Sequence, residues 1–316
     1  MKSHRRGFHE TWKLRTVDRD GRYSLTLQFV LHHSENGFRK SAEVWATFGG
    51  SEENVRTSWR STGAIDTFQP AKIGFRVGGC EFADGRTEGT LQNRGKTLEW
   101  NFTWKNESTT SYQRLPEPLR TLARFRMVSQ SVAPSASITG SFTIDGVKYE
   151  LTNAPGMQSH NFSYRRPLEW TWAHCSSFAN EAGEKVDLVF EGYSGRIPLL
   201  GPLNTPWLTT LFFQYKGETH DLSHPLQLLR TRSERDWNAW RFQSESGELL
   251  FKGELQAENR DFIAWSEEDT DGSLVHLAYS PLTRLVIQIY RRGKLETSAH
   301  SMGTAALEIA RRERSP

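Results

Sequence analysis

The chain has 316 residues, of which 36% are hydrophobic and 24% are charged, and its 40 basic and 37 acidic side chains give a net charge of +3. No segment approaches the roughly 18 consecutive apolar residues of a membrane-spanning helix. Acidic residues are interspersed among Lys and Arg, unlike the one-sided basic surface of a nucleic-acid-binding protein. We therefore expect a soluble globular protein that binds no nucleic acid, and the length favours two domains.

The first residues and the cysteines indicate the cellular compartment. The N-terminal MKSHRRGFHETWK is basic and no apolar segment follows it, so it does not match a signal peptide. Cys80 and Cys175 are the two cysteines, and neither has the spacing of a disulfide framework or a zinc site. These features predict a cytoplasmic protein with free thiols.

An alternation of apolar and polar residues with a period of two runs along the chain and predicts half-buried β-strands. The clearest strands are residues 23–31 and 98–104, and others are expected at 42–48, 73–77, 138–144, 186–193, 208–215, 249–255, 275–279 and 285–290. Asp-Gly pairs at 84–85, 145–146 and 271–272 predict hairpin turns, because glycine tolerates positive φ. The pattern indicates an all-β protein made of barrels or sandwiches.

Helix is expected only at residues 117–127, and the tail from 304 to 314 is compatible with helix or strand. Residues 196–207 contain three prolines, which interrupt β-ladders and suit a connection between domains. We therefore expect an N-terminal domain of residues 1–196 and a C-terminal domain of residues 197–316.

Polar groups that can move protons are concentrated beside large aromatic rings in residues 144–178. Side chains of a strand alternate between its two faces, so Trp170, Trp172 and His174 should share one face. A β-sandwich core with aromatic packing and one hydrogen-bonded histidine is the alternative interpretation.

A motif in the same segment resembles a known protein family. Its residues are Gly146, Pro155, Gly156, His160, Asn161, Pro167, Trp170, Trp172 and Phe178. They are similar to the central motif of the lipocalin-like family that includes carotenoid 1,2-hydratase (hydroxyneurosporene synthase), tocopherol cyclase and the AttH-type proteins. This chain differs in having Phe162-Ser163 where tryptophan and glycine are usual, and His174 where glutamine is common.

The resemblance implies two lipocalin-like antiparallel β-barrel domains packed together, with an apolar pocket at or near their interface and with no metal or organic cofactor. Relatives protonate an alkene of a polyisoprenoid and then add water or a phenolic hydroxyl, and fungal relatives shape intramolecular cycloadditions. Such chemistry needs a proton donor, walls that exclude water, and aromatic faces that stabilise a developing cation.

On this basis we assign roles to individual residues. The acid/base candidates are His160, Tyr164 and His174, and the substrate-binding candidates are Asn161, Trp170, Trp172, Phe178 and Glu191. Asn161 is equally suited to binding turn backbone, and Tyr164 to a place at the rim.

Other carboxylates remain open candidates. Glu10, Glu43 and Glu191 face either solvent or a barrel interior, where burial would raise their pKa. Glu308 and Trp12 are candidates to meet near a barrel mouth.

The sequence thus favours a cofactor-independent hydratase, cyclase or isomerase that acts by proton transfer on a large apolar isoprenoid or polyketide. A noncatalytic carrier of a lipophilic ligand is the alternative, because small β-barrels commonly hold one such molecule. Peripheral contact with a membrane that stores the substrate also stays open. A hydrolase is disfavoured, since Cys175 and His174 are adjacent on a strand and point apart.

Overall fold

The computed structural model describes residues 7–52, 55–71, 74–108, 110–116, 127–198 and 203–313. Within these ranges, helix is confined to Pro225–Leu228 (α1) and to the 3-10 turns Ile65–Thr67 and Asn259–Asp261. The helix expected at residues 117–127 lies outside the described residues except for Met127, which begins a strand. No helix of the described ranges has the length and apolar character needed to span a membrane.

The first twelve strands form one antiparallel sheet. Their bounds are Phe8–Val17 (β1), Tyr23–His33 (β2), Lys40–Gly50 (β3), Arg56–Ala64 (β4), Phe68–Ala71 (β5), Gly74–Val77 (β6), Cys80–Ala83 (β7), Arg86–Asn93 (β8), Lys96–Asn106 (β9), Tyr112–Gln113 (β10), Met127–Ile144 (β11) and Val147–Ser163 (β12). The strand order is β4-β3-β2-β1-β12-β11-β9-β8-β7-β6-β5, and β10 pairs with β11.

This first sheet curls into a barrel. Strands β4 and β8 are distant in the sheet order, yet Asn93 Nδ2 donates a hydrogen bond to the Ser58 carbonyl at 3.1 Å. The interior is filled by the apolar face of the alternating strands, including Phe29, Phe102 and Phe142. The alternation in the sequence therefore specified the core of this barrel, as predicted.

The last thirteen strands form the second antiparallel sheet. Their bounds are Glu169–Cys175 (β13), Phe178–Ala179 (β14), Lys185–Val186 (β15), Leu188–Arg196 (β16), Leu208–Tyr215 (β17), Glu218–Asp221 (β18), Arg232–Arg235 (β19), Ala239–Ser246 (β20), Leu249–Gln256 (β21), Ile263–Glu268 (β22), Leu274–Arg291 (β23), Lys294–His300 (β24) and Ala305–Arg312 (β25). The order is β15-β14-β24-β23-β25-β13-β16-β17-β18, with β21 and β22 also on β23, and β20 between β19 and β21.

The second sheet also curls around an aromatic core. The rings of Phe213 on β17 and Phe251 on β21 stack with centroids 4.0 Å apart, although these strands are not paired. The tail, which the sequence left open between helix and strand, is β25. The all-β prediction and the two packed lipocalin-like barrels are thus confirmed.

The expected hairpin turns are also present. Asp145 and Gly146 join β11 to β12 with φ angles of 50° and 86°. Gly85 and Gly272 lie in turns with φ angles of 71° and 87°. Each of these glycines occupies the left-handed region that other residues rarely adopt.

The two sheets pack against each other along β1 and β2. Arg15 is fully buried and donates hydrogen bonds to the carbonyls of Pro281 at 2.9 Å and Thr304 at 2.7 Å. Beside it, the hydroxyls of Thr26 and Tyr279 are 2.7 Å apart. The outer face of β1 is therefore an internal wall of the molecule.

The chain changes sheets between Ser163 and Glu169, at the end of β12. This change lies earlier than the domain boundary expected between residues 196 and 197, and strands β13 and β16 already pair within the second sheet. The boundary between separately folding units stays a prediction.

Candidate functional site

A cavity lies between the two sheets, beside the outer face of β1. Because side chains alternate along a strand, His9, Thr11 and Lys13 line this cavity, whereas Trp12 packs on the core of the first barrel. The empty space is about 750 Å³ when the part open to solvent is counted, and the centres of water-sized molecules have about 100 Å³ of it available. The other wall residues are Gln28, Arg114, Met127, Val128, Ser129, Asn161, Phe162, Ser163, Arg166, Pro167, Trp170, Trp172, Tyr193, Glu267, Leu277 and Glu308. The cavity is at the interface, as the resemblance implies, but its wall is more polar than expected.

Lys13 and Glu308 form a buried ion pair that joins the two sheets at the cavity wall. Lys13 Nζ lies 2.8 Å from Glu308 Oε2, and Trp170 Nε1 donates to Glu308 Oε1 at 2.9 Å. Burial, the largest single effect, would raise the pKa of Glu308, but the charge and hydrogen bond of Lys13 together with the Trp170 hydrogen bond and the Arg114 charge outweigh it, and the pKa is lowered. Glu308 is therefore ionised at neutral pH and is in its proton-accepting form, although its lowered pKa makes it a weak base.

A second buried ion pair lies deeper, between Arg114 and Glu191. Arg114 Nε is 2.6 Å from Glu191 Oε1, which also accepts from Trp172 Nε1 at 2.8 Å. Arg114 Nη1 donates to Asn161 Oδ1 at 2.8 Å. Burial, the largest single effect, would raise the pKa of Glu191, but the Arg114 charge together with hydrogen bonds such as that from Trp172 outweighs it and the pKa is lowered. Asn161 thus lies in a strand and not in a turn, and its side-chain oxygen accepts a hydrogen bond from a cavity cation.

The indole of Trp172 already has cations near its ring. Lys13 Nζ lies 4.5 Å from the ring centroid and Arg114 Cζ lies 5.7 Å from it. Aromatic faces attract positive charge, and the face of Trp172 is thus already engaged by protein cations. Glu308 and Glu191 balance the charges of Lys13 and Arg114, so the two ion pairs leave this part of the cavity without net charge.

His160 lies on the opposite face of β12 from Asn161, outside the cavity wall. Its Nε2 is 2.8 Å from Glu10 Oε1, and its ring stacks on Trp12 with centroids 5.2 Å apart. Trp12 in turn contacts Phe75 in the first barrel. The structure therefore places His160 and Glu10 together at the first barrel and apart from the tryptophans of the cavity.

His174 shares a strand face with the two tryptophans, as the alternation predicts, but it is fully buried behind them. Its ring is parallel to that of Trp172 within 7°, and its Nε2 is 2.7 Å from the Pro134 carbonyl, to which it must donate. Burial lowers the pKa of His174 to about 4. The ring is neutral at physiological pH and does not line the cavity.

The remaining sequence candidates are not wall residues themselves, although Tyr164 contacts the wall residue Phe162. The ring of Tyr164 contacts Phe162, with centroids 5.3 Å apart, and its carbonyl accepts from Thr270 Oγ1. Phe178 is buried in the core of the second sheet. Trp12 and Glu308 do not meet, because Trp12 faces the first barrel.

The net pKa of the buried strand carboxylates Glu43 and Glu191 is lowered, whereas burial was expected to raise it. Burial would raise the pKa of Glu43, but Arg60 and hydrogen bonds from Ser41 and Trp45 outweigh it and lower the pKa. Neither residue is therefore a carboxylic acid at neutral pH. Within the described parts of the chain, no group of three or more His, Cys, Asp and Glu is arranged to hold a metal.

Sequence reasoning missed Lys13, Arg114 and Tyr193. Lys13 and Glu308 are 295 residues apart, so no local pattern joins them. A signal for Lys13 was present, because His9, Thr11, Lys13 and Arg15 form one polar face of β1. Such a face is usually read as exposed, but here it is covered by the second sheet.

Comparison with known proteins places this fold among solved structures. No family model and no curated protein matches the chain. A protein assigned as AttH from Nitrosomonas europaea superposes with a TM-score of 0.57 at 10% identity, over 95% of this chain and 92% of that one. Kievitone hydratase from Nectria haematococca gives 0.57 at 13% identity, over 95% and 88%. CghA in complex with Sch210972 gives 0.59 at 12% identity, over 96% and 88%. The chain therefore has the two-barrel fold of these proteins, which is the fold that its central motif implies.

Proposed function

We propose that this protein is a cofactor-independent hydratase or cyclase that transfers protons on a mainly apolar substrate held between the two sheets. The Lys13–Glu308 pair carries this proposal, because it places a proton acceptor and a proton donor at a cavity wall that also contains Trp170 and Trp172. The fold shared with kievitone hydratase supports the same class of reaction.

The two charges suit the two halves of an addition to a double bond. Ionised Glu308 accepts the proton of a water or substrate hydroxyl as its oxygen forms the new C–O bond. The Lys13 ammonium stabilises negative charge that develops on the substrate and delivers a proton to the neighbouring carbon. Proton transfer from Glu308 to Lys13, which are 2.8 Å apart, then restores both groups.

Turnover in heavy-oxygen water tests the proposal. Purified protein is incubated in H₂¹⁸O with prenylated phenols and polyene ketones, and products are analysed by mass spectrometry. We expect one labelled hydrate or one cyclic isomer, and a loss of turnover of about 10²- to 10⁴-fold in Glu308→Gln with binding retained. Glu254→Gln is the matched control, because Glu254 forms an exposed ion pair with Arg241. Full turnover in Glu308→Gln would contradict the mechanism.

A carrier of a lipophilic ligand is the second candidate. The ion pairs of Glu191 and Glu308 favour it, because each carboxylate is already engaged by a cation and the lowered pKa makes Glu308 a weak base. A carrier would bind members of the same panel and release them with unchanged mass. Wild-type protein and Glu308→Gln would then be equally inactive.

A further inference from the structure

Tyr193 on β16 lines the cavity, and its hydroxyl, which is buried above Gly195 of the same strand, has no hydrogen-bond partner among the described residues. The residue is 6% exposed, and its ring packs in one cluster with Trp170 and Trp172. Tyr193 is the cross-strand neighbour of Trp172 in the β13–β16 ladder. The packing of the ring therefore fixes the position of the hydroxyl, and the O–H group donates no hydrogen bond to any described residue.

Most other polar groups of the wall are already engaged. Lys13 binds Glu308, and the indole nitrogens of Trp170 and Trp172 bind Glu308 and Glu191. His9 Nδ1 is a second unpaired atom, but His9 Nε2 lies 3.1 Å from Thr11 Oγ1, which anchors that ring. A buried polar group without a partner is costly, and native proteins retain few of them. The described residues contain sixteen buried side-chain atoms of this kind, and the Tyr193 hydroxyl and His9 Nδ1 are the two that belong to residues of the cavity wall.

We propose that Tyr193 selects substrates that carry an acceptor oxygen, such as a carbonyl, by donating a hydrogen bond to that oxygen. This inference rests on the proposed function, because it identifies the substrate class for the same cavity. A ligand carbonyl satisfies the hydroxyl, whereas a hydrocarbon of equal shape leaves it buried and unpaired. The substrate class is therefore an apolar molecule with an oxygen-bearing end, and not a pure hydrocarbon.

The surrounding charge does not oppose this selection. Lys13 and Arg114 lie near the Trp172 ring, and each is paired with a carboxylate, so this part of the cavity carries no net charge. Burial raises the pKa of Tyr193, so the phenol is neutral at physiological pH and retains its proton for donation.

A matched pair of ligands tests the proposal by binding alone. The probes are geranylacetone and its hydrocarbon analogue with a methylene group in place of the ketone C=O, each titrated by calorimetry. We expect wild-type protein to prefer the ketone by about tenfold or more, as is typical when one ligand leaves a buried donor unpaired. Tyr193→Phe keeps the ring and should reduce this preference to near unity by weakening ketone binding.

Tyr215→Phe is the matched control, since Tyr215 is also buried but its hydroxyl pairs with Glu296 and lies outside the cavity wall. The control should retain the ketone preference. Equal affinities in wild-type protein, an unchanged preference in Tyr193→Phe, or failure to bind the ketone would each overturn the proposal. A ketone preference without turnover of any substrate would instead reject the hydratase and leave the role of Tyr193 intact.

Discussion

At the scale of single residues, two buried carboxylates of the second sheet are kept ionised by cations from the N-terminal half of the chain. Glu308 pairs with Lys13 and Glu191 pairs with Arg114. Each carboxylate also accepts a hydrogen bond from an indole nitrogen. Breaking a buried pair is costly because the remaining charge stays buried without compensation.

Lys13→Met should therefore lower the free energy of unfolding by about 3–5 kcal/mol, since it leaves Glu308 charged and buried. The double variant Lys13→Met/Glu308→Gln should be less destabilised than Lys13→Met alone, because both charges are removed. Urea denaturation of wild-type, single and double variants measures the coupling. If Lys13→Met lowered the free energy of unfolding by less than about 1 kcal/mol, the pair would contribute no more than an exposed ion pair screened by solvent.

His174 should make the protein less stable as the pH falls from 6.5 towards 4. Burial lowers its folded-state pKa from 6.5 to about 4, so in this window the unfolded chain binds a proton that the folded chain does not. The lost stability reaches about 3 kcal/mol below pH 4. His174→Gln removes the titration and retains a donor for the Pro134 carbonyl. Denaturation curves between pH 7 and 4 should show a flatter pH dependence for this variant, and parallel curves would contradict the assignment.

At the scale of elements, two glycines of the central motif have different physical roles. Gly146 has a φ of 86° in the β11–β12 turn, with open space where a Cβ would lie. Gly156 lies where β12 passes close to β1, and a Cβ there would be 2.3 Å from the Arg15 carbonyl oxygen and 2.2 Å from Ile138 Cδ1. The turn needs glycine for its conformation, and the strand needs it for close approach.

We expect Gly156→Ala to lower stability by roughly 1–3 kcal/mol, because the contact with the Arg15 carbonyl requires backbone movement. Gly146→Ala should cost about 1 kcal/mol, from the left-handed conformation alone. Thermal unfolding measured by circular dichroism ranks the two variants. A larger loss for Gly146→Ala would reverse this interpretation.

At the scale of the whole molecule, the two sheets share a polar interface that neither half can satisfy alone. Arg15 of the first sheet donates hydrogen bonds to carbonyls of the second half of the chain. Arg114, which precedes β11, forms an ion pair with Glu191 of the second sheet. Separation of the sheets would expose these groups together and remove the cavity.

The molecule should consequently unfold in one cooperative transition. Calorimetry, tryptophan fluorescence and near-ultraviolet circular dichroism should give coincident melting curves. Two resolved transitions would mean that the barrels unfold separately, and this would also support a domain boundary that can be tested by expressing each part.

The sequence by itself determined the all-β class, the strands and the hairpin turns, because the alternation of side chains and the φ preference of glycine are local properties. It also placed Trp170 and Trp172 on one face, and both line the cavity. His160 and His174 come from the same segment, but neither of them lines the cavity. Which side chains of this segment reach the cavity depends on how the two sheets pack, and not on the alternation within one strand.

Only the tertiary structure brought Lys13, Glu308 and Arg114 together. These residues lie far apart along the chain, and the packing of one sheet on the other decides which polar strand faces are buried. The same packing decides protonation, because a buried carboxylate beside a cation has a lowered pKa, whereas burial alone would raise it. The chemistry of the candidate site was thus set by contacts between the sheets, which periodicity within a strand does not encode.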